Sequence, residues 1–407
     1  MPYPPSSKPH YPGQHAPAQE GGDPFARQAL GHVGGPTEVE GDPALRDVLG
    51  YAFEVSTVDR DRYTHGFHSY PARMHWATSA RLMEELNLSG AHLLDPFCGS
   101  GTTLVEARTH GLSAIGTDLN PLAIRLSAVK TNPQSRSFRE SLVLTAAEVR
   151  SASEALVQAR AKVRADLPPD EIRWYEPHIL KEMAGLCQCI AEVEDPEVRE
   201  AFVLVFSSLV VKFSRQQSDT AERTVERNLR KGLVSEFFER KANELADRLE
   251  ALSRDLHGPV PNLEVIDARQ VARVIDGKVD VIITSPPYGG TYDYVAHHAR
   301  RFAWLGIDPR SMFTEIGARR DQDTPHRFES QLFAVLSGLA ELLTKDGLII
   351  LQMGDGRHGS QRDPADTLVS SMAEEAGLRP LAIASQPRPD FRGGPPRFEH
   401  LMALGKA

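Results

Sequence analysis

The chain has 407 residues, enough for one large α/β domain with insertions or for two domains, and its 41% hydrophobic and 25% charged residues are those of an ordinary globular protein. A collagen, a coiled coil or a wholly disordered chain is excluded on composition. A formal net charge of -9 gives no general attraction to phosphate backbones, so any contact with nucleic acid must come from local basic clusters.

Three cysteines, Cys98, Cys187 and Cys189, cannot build a disulfide framework and fit a reducing cytoplasm. No second Cys or His pair stands at zinc spacing beside Cys187 and Cys189, so buried helix cysteines are expected there, and no metal site. The N-terminus has no apolar run behind a basic start and reads as no secretory signal. The most apolar stretch, Ala201 to Val211, is far shorter than the roughly 20 residues a membrane-spanning helix needs and reads as a core helix. The expectation is a cytoplasmic protein with no membrane partner.

Residues 1–45 are rich in Pro, Gly, His and Ser without apolar periodicity, which predicts a disordered tail. From residue 91 short apolar runs alternate with helical segments, the signature of a mostly parallel sheet flanked by helices. AHLLD (91–95) predicts a first strand, TTLVEARTHG a helix closed by Gly111, SAIGTD (113–118) a second strand, and Pro121 the start of another helix. Residues 138–257 break that rhythm with long helical periodicity and read as a helical insertion. The sheet resumes with NLEVID (262–267), VDVIIT (279–284) and GLIILQM (347–353), and PLAIAS (380–385) with HLMALG (400–405) predict a closing antiparallel pair. This divides the chain into a tail (1–45), a first half of the α/β domain (46–137), the insertion (138–257) and a second half (258–407).

The chemistry-bearing residues begin with Asp95-Pro96-Phe97-Cys98-Gly99-Ser100-Gly101-Thr102-Thr103, where the first strand turns into a helix. In a doubly wound sheet ligands bind at that turn, where glycines let backbone approach and the helix offers free N–H groups. The position three after Gly101 is Leu104, so the dinucleotide fingerprint fails, and no Lys follows the glycines as a Walker loop requires. What remains is a turn shaped for a polar, uncharged nucleoside with an amino-acid moiety. Asp118 ends the second strand, where a carboxylate can accept both hydroxyls of a ribose; the competing reading is that Asp118-Leu119-Asn120-Pro121 only caps the next helix. Asp267, ending the third strand, could hold an adenine amino group or simply shape a turn. Thr284-Ser285-Pro286-Pro287-Tyr288 follows the apolar fourth strand, and in a sheet of this order it faces the same crevice as the glycine turn.

DPFCGSGTT followed by TSPPY resembles the bacterial amino-methyltransferases of DNA, and the Ser-Pro-Pro-Tyr form looks like the cytosine-N4 members, whereas adenine-N6 members usually carry Asp in the first place. The resemblance implies a Rossmann-like S-adenosylmethionine-dependent methyltransferase fold with a seven-stranded, mostly parallel sheet and S-adenosylmethionine as cofactor. It also implies double-stranded DNA as partner, and a cognate restriction endonuclease as a further one. Ser285, Pro286, Pro287 and Tyr288 would then be catalytic. Asp95, Phe97, Gly99, Ser100, Gly101, Thr102, Thr103, Asp118, Asn120 and Asp267 would hold the cofactor. Phe67 to Met74 is similar to the segment that covers the cofactor in this family, so Phe67 and Tyr70 join that set; without the resemblance the segment reads as a surface loop. Trp174 to Pro177, Ser214 to Thr220 and Arg397 to Leu401 are weaker points of likeness.

The residues suit that chemistry. The lone pair of an aromatic amine is delocalised into its ring, and acceptors such as the Ser285 hydroxyl and the Pro286 carbonyl can localise it by taking its hydrogens. Tyr288 can stack on a base flipped out of the duplex. Basic clusters at Lys212 to Lys231, at His297, His298, Arg300 and Arg301, at Arg319 and Arg320, and at Arg388, Arg392 and Arg397 could meet phosphates or be solvated faces. A cytosine-C5 enzyme is nearly excluded, because no Pro-Cys step supplies its thiolate nucleophile. Adenine-N6 methylation of DNA and amino methylation of RNA or tRNA remain as alternatives, and the intact motifs make a non-catalytic relic improbable.

Overall fold

The computed structural model describes residues 36–407 except 60, 219–220, 319–324, 359–360 and 389–396. The predicted tail up to residue 35, Arg319, Arg320 and Arg392 therefore lie outside the described residues.

The first half of the domain comprises β1 (Glu38–Gly41), α1 (Pro43–Phe53), α2 (Trp76–Glu85), β2 (His92–Asp95), α3 (Thr102–Thr109), β3 (Ser113–Asp118) and α4 (Pro121–Thr131). The insertion contains α5 (Arg136–Gln158), α6 (Pro169–Ile172), α7 (Pro177–Ala191), α8 (Pro196–Val210), the short strands β4 (Gln216–Ser218) and β5 (Ala221–Thr224), and α9 (Leu233–Ser253). The second half runs through β6 (Asn262–Val265), α10 (Val271–Val274), β7 (Val279–Thr284), α11 (Tyr294–Leu305), α12 (Pro325–Leu342) and β8 (Leu343–Gly354). It closes with β9 (Gly356–His358), β10 (Gln361–Asp363), α13 (Ala365–Ala373), β11 (Leu378–Arg388) and β12 (Arg397–Lys406).

The main sheet has the order β1-β11-β12-β8-β7-β2-β3-β6. β6, β3, β2, β7 and β8 are parallel neighbours, while β12 lies antiparallel to β8 and to β11. The expected seven strands and their closing antiparallel pair are all present, and β1 adds an eighth. That strand belongs to residues 1–45, read from sequence as tail. All four of its residues are exposed, so it has no apolar face to betray it, and it is held by backbone pairing with β11. Gly41 makes the approach possible: at φ +96° it sits where a Cβ would come within 2.3 Å of the Leu381 carbonyl oxygen.

The apolar runs become strands buried on both faces. Leu94, Ile282 and Ile349 face one packed layer that includes Leu336 and Leu339 of α12, and Leu93, Val281, Ile283 and Ile350 face the other, with Leu49 and Phe53 of α1 and Leu82 of α2. Ala201 to Val211 is a core helix, as its composition implies, and Cys189 is buried and Cys187 half-buried on α7. Among the described residues no helix is long and apolar enough to cross a membrane.

Candidate active site

β2 and β7 are adjacent parallel strands, with Leu93 opposite Val281 and Leu94 opposite Ile282, so the turns that follow them emerge side by side. The Thr284 hydroxyl, at the end of β7, donates to Asp95 Oδ1, at the end of β2, across 2.6 Å. Asp95, Phe97, Gly99, Ser100, Thr102 and Thr103 from the glycine turn and Ser285 and Pro287 from the proline turn line one cleft, with about 500 Å³ of space open to solvent. Two motifs nearly 190 residues apart thus share a wall, as the strand order requires.

The glycine turn is built for close approach. Gly99 and Gly101 have φ of +51° and +78°, and a Cβ on Gly101 would lie 2.8 Å from Ser127 Oγ on α4. Ser127 Oγ in turn donates to the Gly99 carbonyl at 3.0 Å. Lys130, fully buried under the turn, donates from Nζ to the Ser100 carbonyl at 2.6 Å and to its hydroxyl at 3.3 Å, and burial drives its pKa well down. Sequence reasoning passed over Lys130, because a lysine in the last turn of a helix reads as an exposed, dipole-compensating residue.

Asp118 backs this turn. Its Oδ2 accepts from the Gly99 amide at 2.9 Å and its Oδ1 from the Asn120 amide at 2.8 Å. Burial pushes its pKa up to about 6 despite those bonds. Asn120 caps α4, accepting from the Leu122 amide at 3.0 Å, and its Nδ2 reaches the Tyr70 hydroxyl at 3.4 Å. The capping reading and proximity to the cleft therefore hold together. Asp95 is pushed to about 7 by burial, partly offset by the Thr284 hydroxyl, the Phe97 amide and Thr103, all uncharged donors. Asp95, beside the aromatic rings of Tyr70, Phe97 and Tyr294 in the cleft, and Asp118, behind the glycine turn, form an acceptor and aromatic set suited to a cationic ligand with free hydroxyls.

Of the expected cofactor residues, Phe67, Gly101, Asp118, Asn120 and Asp267 are not among those lining the cleft; Gly101, Asp118 and Asn120 belong to or back the glycine turn, while Phe67 and Asp267 meet other partners. Phe67 is fully buried, its ring 5.5 Å from Lys241 Nζ of the insertion, and Tyr70 reaches the cleft in its place, lying 3.2 Å from where a Cβ of Gly99 would be. Asp267 caps the short turn that follows it, and its carboxylate is taken by Arg269, through Nε at 2.9 Å and through a second guanidinium nitrogen. Burial raises its pKa, but the Arg269 bonds prevail and hold it below the usual carboxylate range. Tyr294, the first residue of α11, lines the cleft unforeseen, because nothing in its local sequence distinguishes it.

In the proline turn Pro286 is buried, the Tyr288 ring lies against Gly354 of β8, and neither is among the residues lining the cleft. The basic cluster on α11 is not a free phosphate-binding face. Arg300 donates to both carboxylate oxygens of Glu171 at 2.9 and 3.2 Å and lies 3.8 Å over the Trp174 ring. Arg301 is fully buried and donates to the Ser207 carbonyl, and His298 is fully buried 4.9 Å from the Tyr70 ring. In the Lys212 to Lys231 cluster Arg215 pairs with Glu176 at 2.8 Å and Arg230 with Glu236, while Lys212 lies over the Phe237 ring.

A sheet of this order and strand direction, with a glycine turn after its first parallel strand and an acid ending its second, defines a doubly wound, Rossmann-like fold. Residues 39–129 match the family described as DNA methylase (N6/N4). It is 27% identical over 249 residues to the Type II methyltransferase M.MvaI of Kocuria varians, covering 58% of this chain and 55% of that one. It is 25% identical over 277 residues to the Type II methyltransferase M.BsoBI of Geobacillus stearothermophilus, covering 62% and 53%. The chain thus spans just over half the length of these curated relatives. A solved structure, TrmN from Thermus thermophilus, aligns over 83% of this chain and 50% of its own at 12% identity and a TM-score of 0.32, a likeness that says nothing of what this chain acts on. The cofactor is S-adenosylmethionine, and the Asp95 carboxyl, the glycine turn and the aromatic lining fit its cationic, hydroxyl-bearing structure.

Proposed function

We propose that this protein methylates an exocyclic amine of a base in double-stranded DNA, and that the amine is cytosine N4. The observation that carries the reading is the cleft shared by Ser285 and Pro287 with the glycine turn, tied together by the hydrogen bond from Thr284 to Asp95.

S-adenosylmethionine, when bound, supplies an electrophilic methyl group. Asp118 accepts the ribose hydroxyls, and the backbone of the glycine turn lies against the remainder. The Ser285 hydroxyl and the Pro286 carbonyl each accept one hydrogen of the target amine, drawing its nitrogen toward a pyramidal geometry and aiming the lone pair into the cleft. Because that amine is inaccessible inside a duplex, the nucleotide is flipped out, and Tyr288 replaces part of the lost stacking. The choice of cytosine rests on the Ser-Pro-Pro-Tyr form of the turn. A cytoplasmic location and a restriction endonuclease acting on the same site accompany this reading.

Transfer of labelled methyl groups to DNA and to RNA, followed by modification-sensitive sequencing of DNA from expressing cells, tests the proposal. N4-methylcytosine at a defined site is expected. Methyl groups on adenine N6 would refute the cytosine assignment alone, and transfer confined to RNA would refute the DNA reading.

A further inference from the structure

Tyr288 is held from a strand that sequence reasoning did not connect with the proline turn. Its hydroxyl donates to Glu399 Oε1 of β12 across 2.7 Å. Glu399 pairs in register with Gly354 of β8, and Gly354 makes room for the ring: a Cβ there would stand 2.7 Å from Tyr288 Cε2 and 3.0 Å from Cδ2. The missing side chain of one residue and the carboxylate of its cross-strand neighbour thus form a single seat for the phenol.

The carboxylate is itself immobilised. Gln352, two residues before Gly354 on β8, donates from Nε2 to Glu399 Oε1 at 2.9 Å, and Arg388 of β11 donates from Nε to Oε2 at 2.7 Å. The Glu399 side chain is only 17% exposed, so a carboxylate there is stable because three donors surround it. Burial pushes its pKa up, yet Arg388, Gln352 and Tyr288 outweigh that and keep it below the usual range. Burial, then Glu399, drive the Tyr288 phenol well above its ordinary value, so it stays protonated and remains the donor.

We propose that Glu399 is a positioning residue for the transfer reaction, fixing the ring of Tyr288 through its hydroxyl so that the proline turn presents one geometry to the target base. Its reach is indirect: Glu399 touches neither the cleft nor the glycine turn, and acts through a single hydrogen bond. The inference rests on the reading of Ser285 to Tyr288 as the transfer site.

Two double-mutant cycles over Tyr288→Phe and Glu399→Ala test it. In the first, single-turnover methyl transfer to DNA is measured at saturating cofactor. Each single variant is expected to slow transfer about tenfold, the double variant no more than either alone, with cofactor affinity within about twofold of the parent. Glu399→Gln, whose amide oxygen can still accept the phenol hydrogen, should recover most of the rate. Independent, multiplying losses, or a Glu399→Gln variant as slow as Glu399→Ala, would overturn the proposal. The second cycle follows urea unfolding and needs no substrate. The midpoint shift caused by Tyr288→Phe should largely vanish when Glu399 is already alanine and persist when it is glutamine, and an undiminished shift in the alanine background also overturns it. Parent protein that transfers no methyl group to DNA while the unfolding cycle shows coupling would count against the DNA reading and leave the Tyr288–Glu399 contact standing.

Discussion

Replacing Thr284 by valine removes one hydroxyl and keeps the shape of a fully buried side chain. What is lost is the 2.6 Å hydrogen bond to Asp95 that joins the two turns. Asp95 is pushed to about 7 from an ordinary value near 3.8, so its raised pKa favours folding below about pH 4, and that contribution fades as pH rises through 7. Thr284 works against the shift, since its hydroxyl stabilises the ionised carboxylate more than the neutral acid. At pH 8.5, with Asp95 charged, the variant should lose a charge-assisted hydrogen bond worth about 1.5–3 kcal/mol. At pH 5.5, with the acid neutral, the loss should be about 0.5–1.5 kcal/mol. Urea unfolding of both proteins at the two pH values, with a common m-value, measures the difference. Equal penalties, or a larger penalty at pH 5.5, would refute the reasoning that a buried, poorly ionised carboxyl is what ties the two turns together.

Two further outcomes follow from the same geometry. Asp118→Asn should weaken S-adenosylmethionine binding by about 10- to 100-fold, the worth of hydrogen bonds to a charged acceptor, as read by calorimetry. In the parent, affinity should fall as pH drops through about 6 and Asp118 takes up a proton; because Asp95, near 7, titrates nearby, the diagnostic signal is the portion of that fall which Asp118→Asn abolishes, and an unchanged profile would contradict the assignment. Arg300→Ala should cost about 2–4 kcal/mol of stability by leaving Glu171, 11% exposed, without its guanidinium, whereas the salt dependence of DNA binding should stay as it was. A salt slope reduced by about one would instead mark Arg300 as a phosphate contact.

The parts of the site legible in sequence are those whose signal is local. Two glycines at left-handed φ beside a strand end, and two prolines that stop a strand, reveal themselves through backbone rules that need no partner. The strand order then follows from alternation of apolar runs and helices, and with it the meeting of both turns. What could not be read depends on residues far away in the chain. Asp267 looks like a ligand until Arg269 closes on it, and Phe67 looks available until the insertion covers it. β1 and the β4–β5 hairpin escape because a three- or four-residue strand exists only through its partner.

The basic residues of α11 show the same limit and also explain a feature of the architecture. A helix carrying His297, His298, Arg300 and Arg301 directly after the proline turn invites a phosphate-binding reading, since charge alone cannot tell a solvated face from an internal joint. The decisive partners lie in the insertion: Glu171 and Trp174 receive Arg300, Tyr175 accepts from Trp304 Nε1 at 2.9 Å, and Phe206 packs on the Trp304 ring. These contacts fasten the insertion to the helix whose first residue, Tyr294, lines the cleft. The 138–257 segment is therefore fastened to the half of the domain that carries the proline turn, although in the chain it separates the two halves.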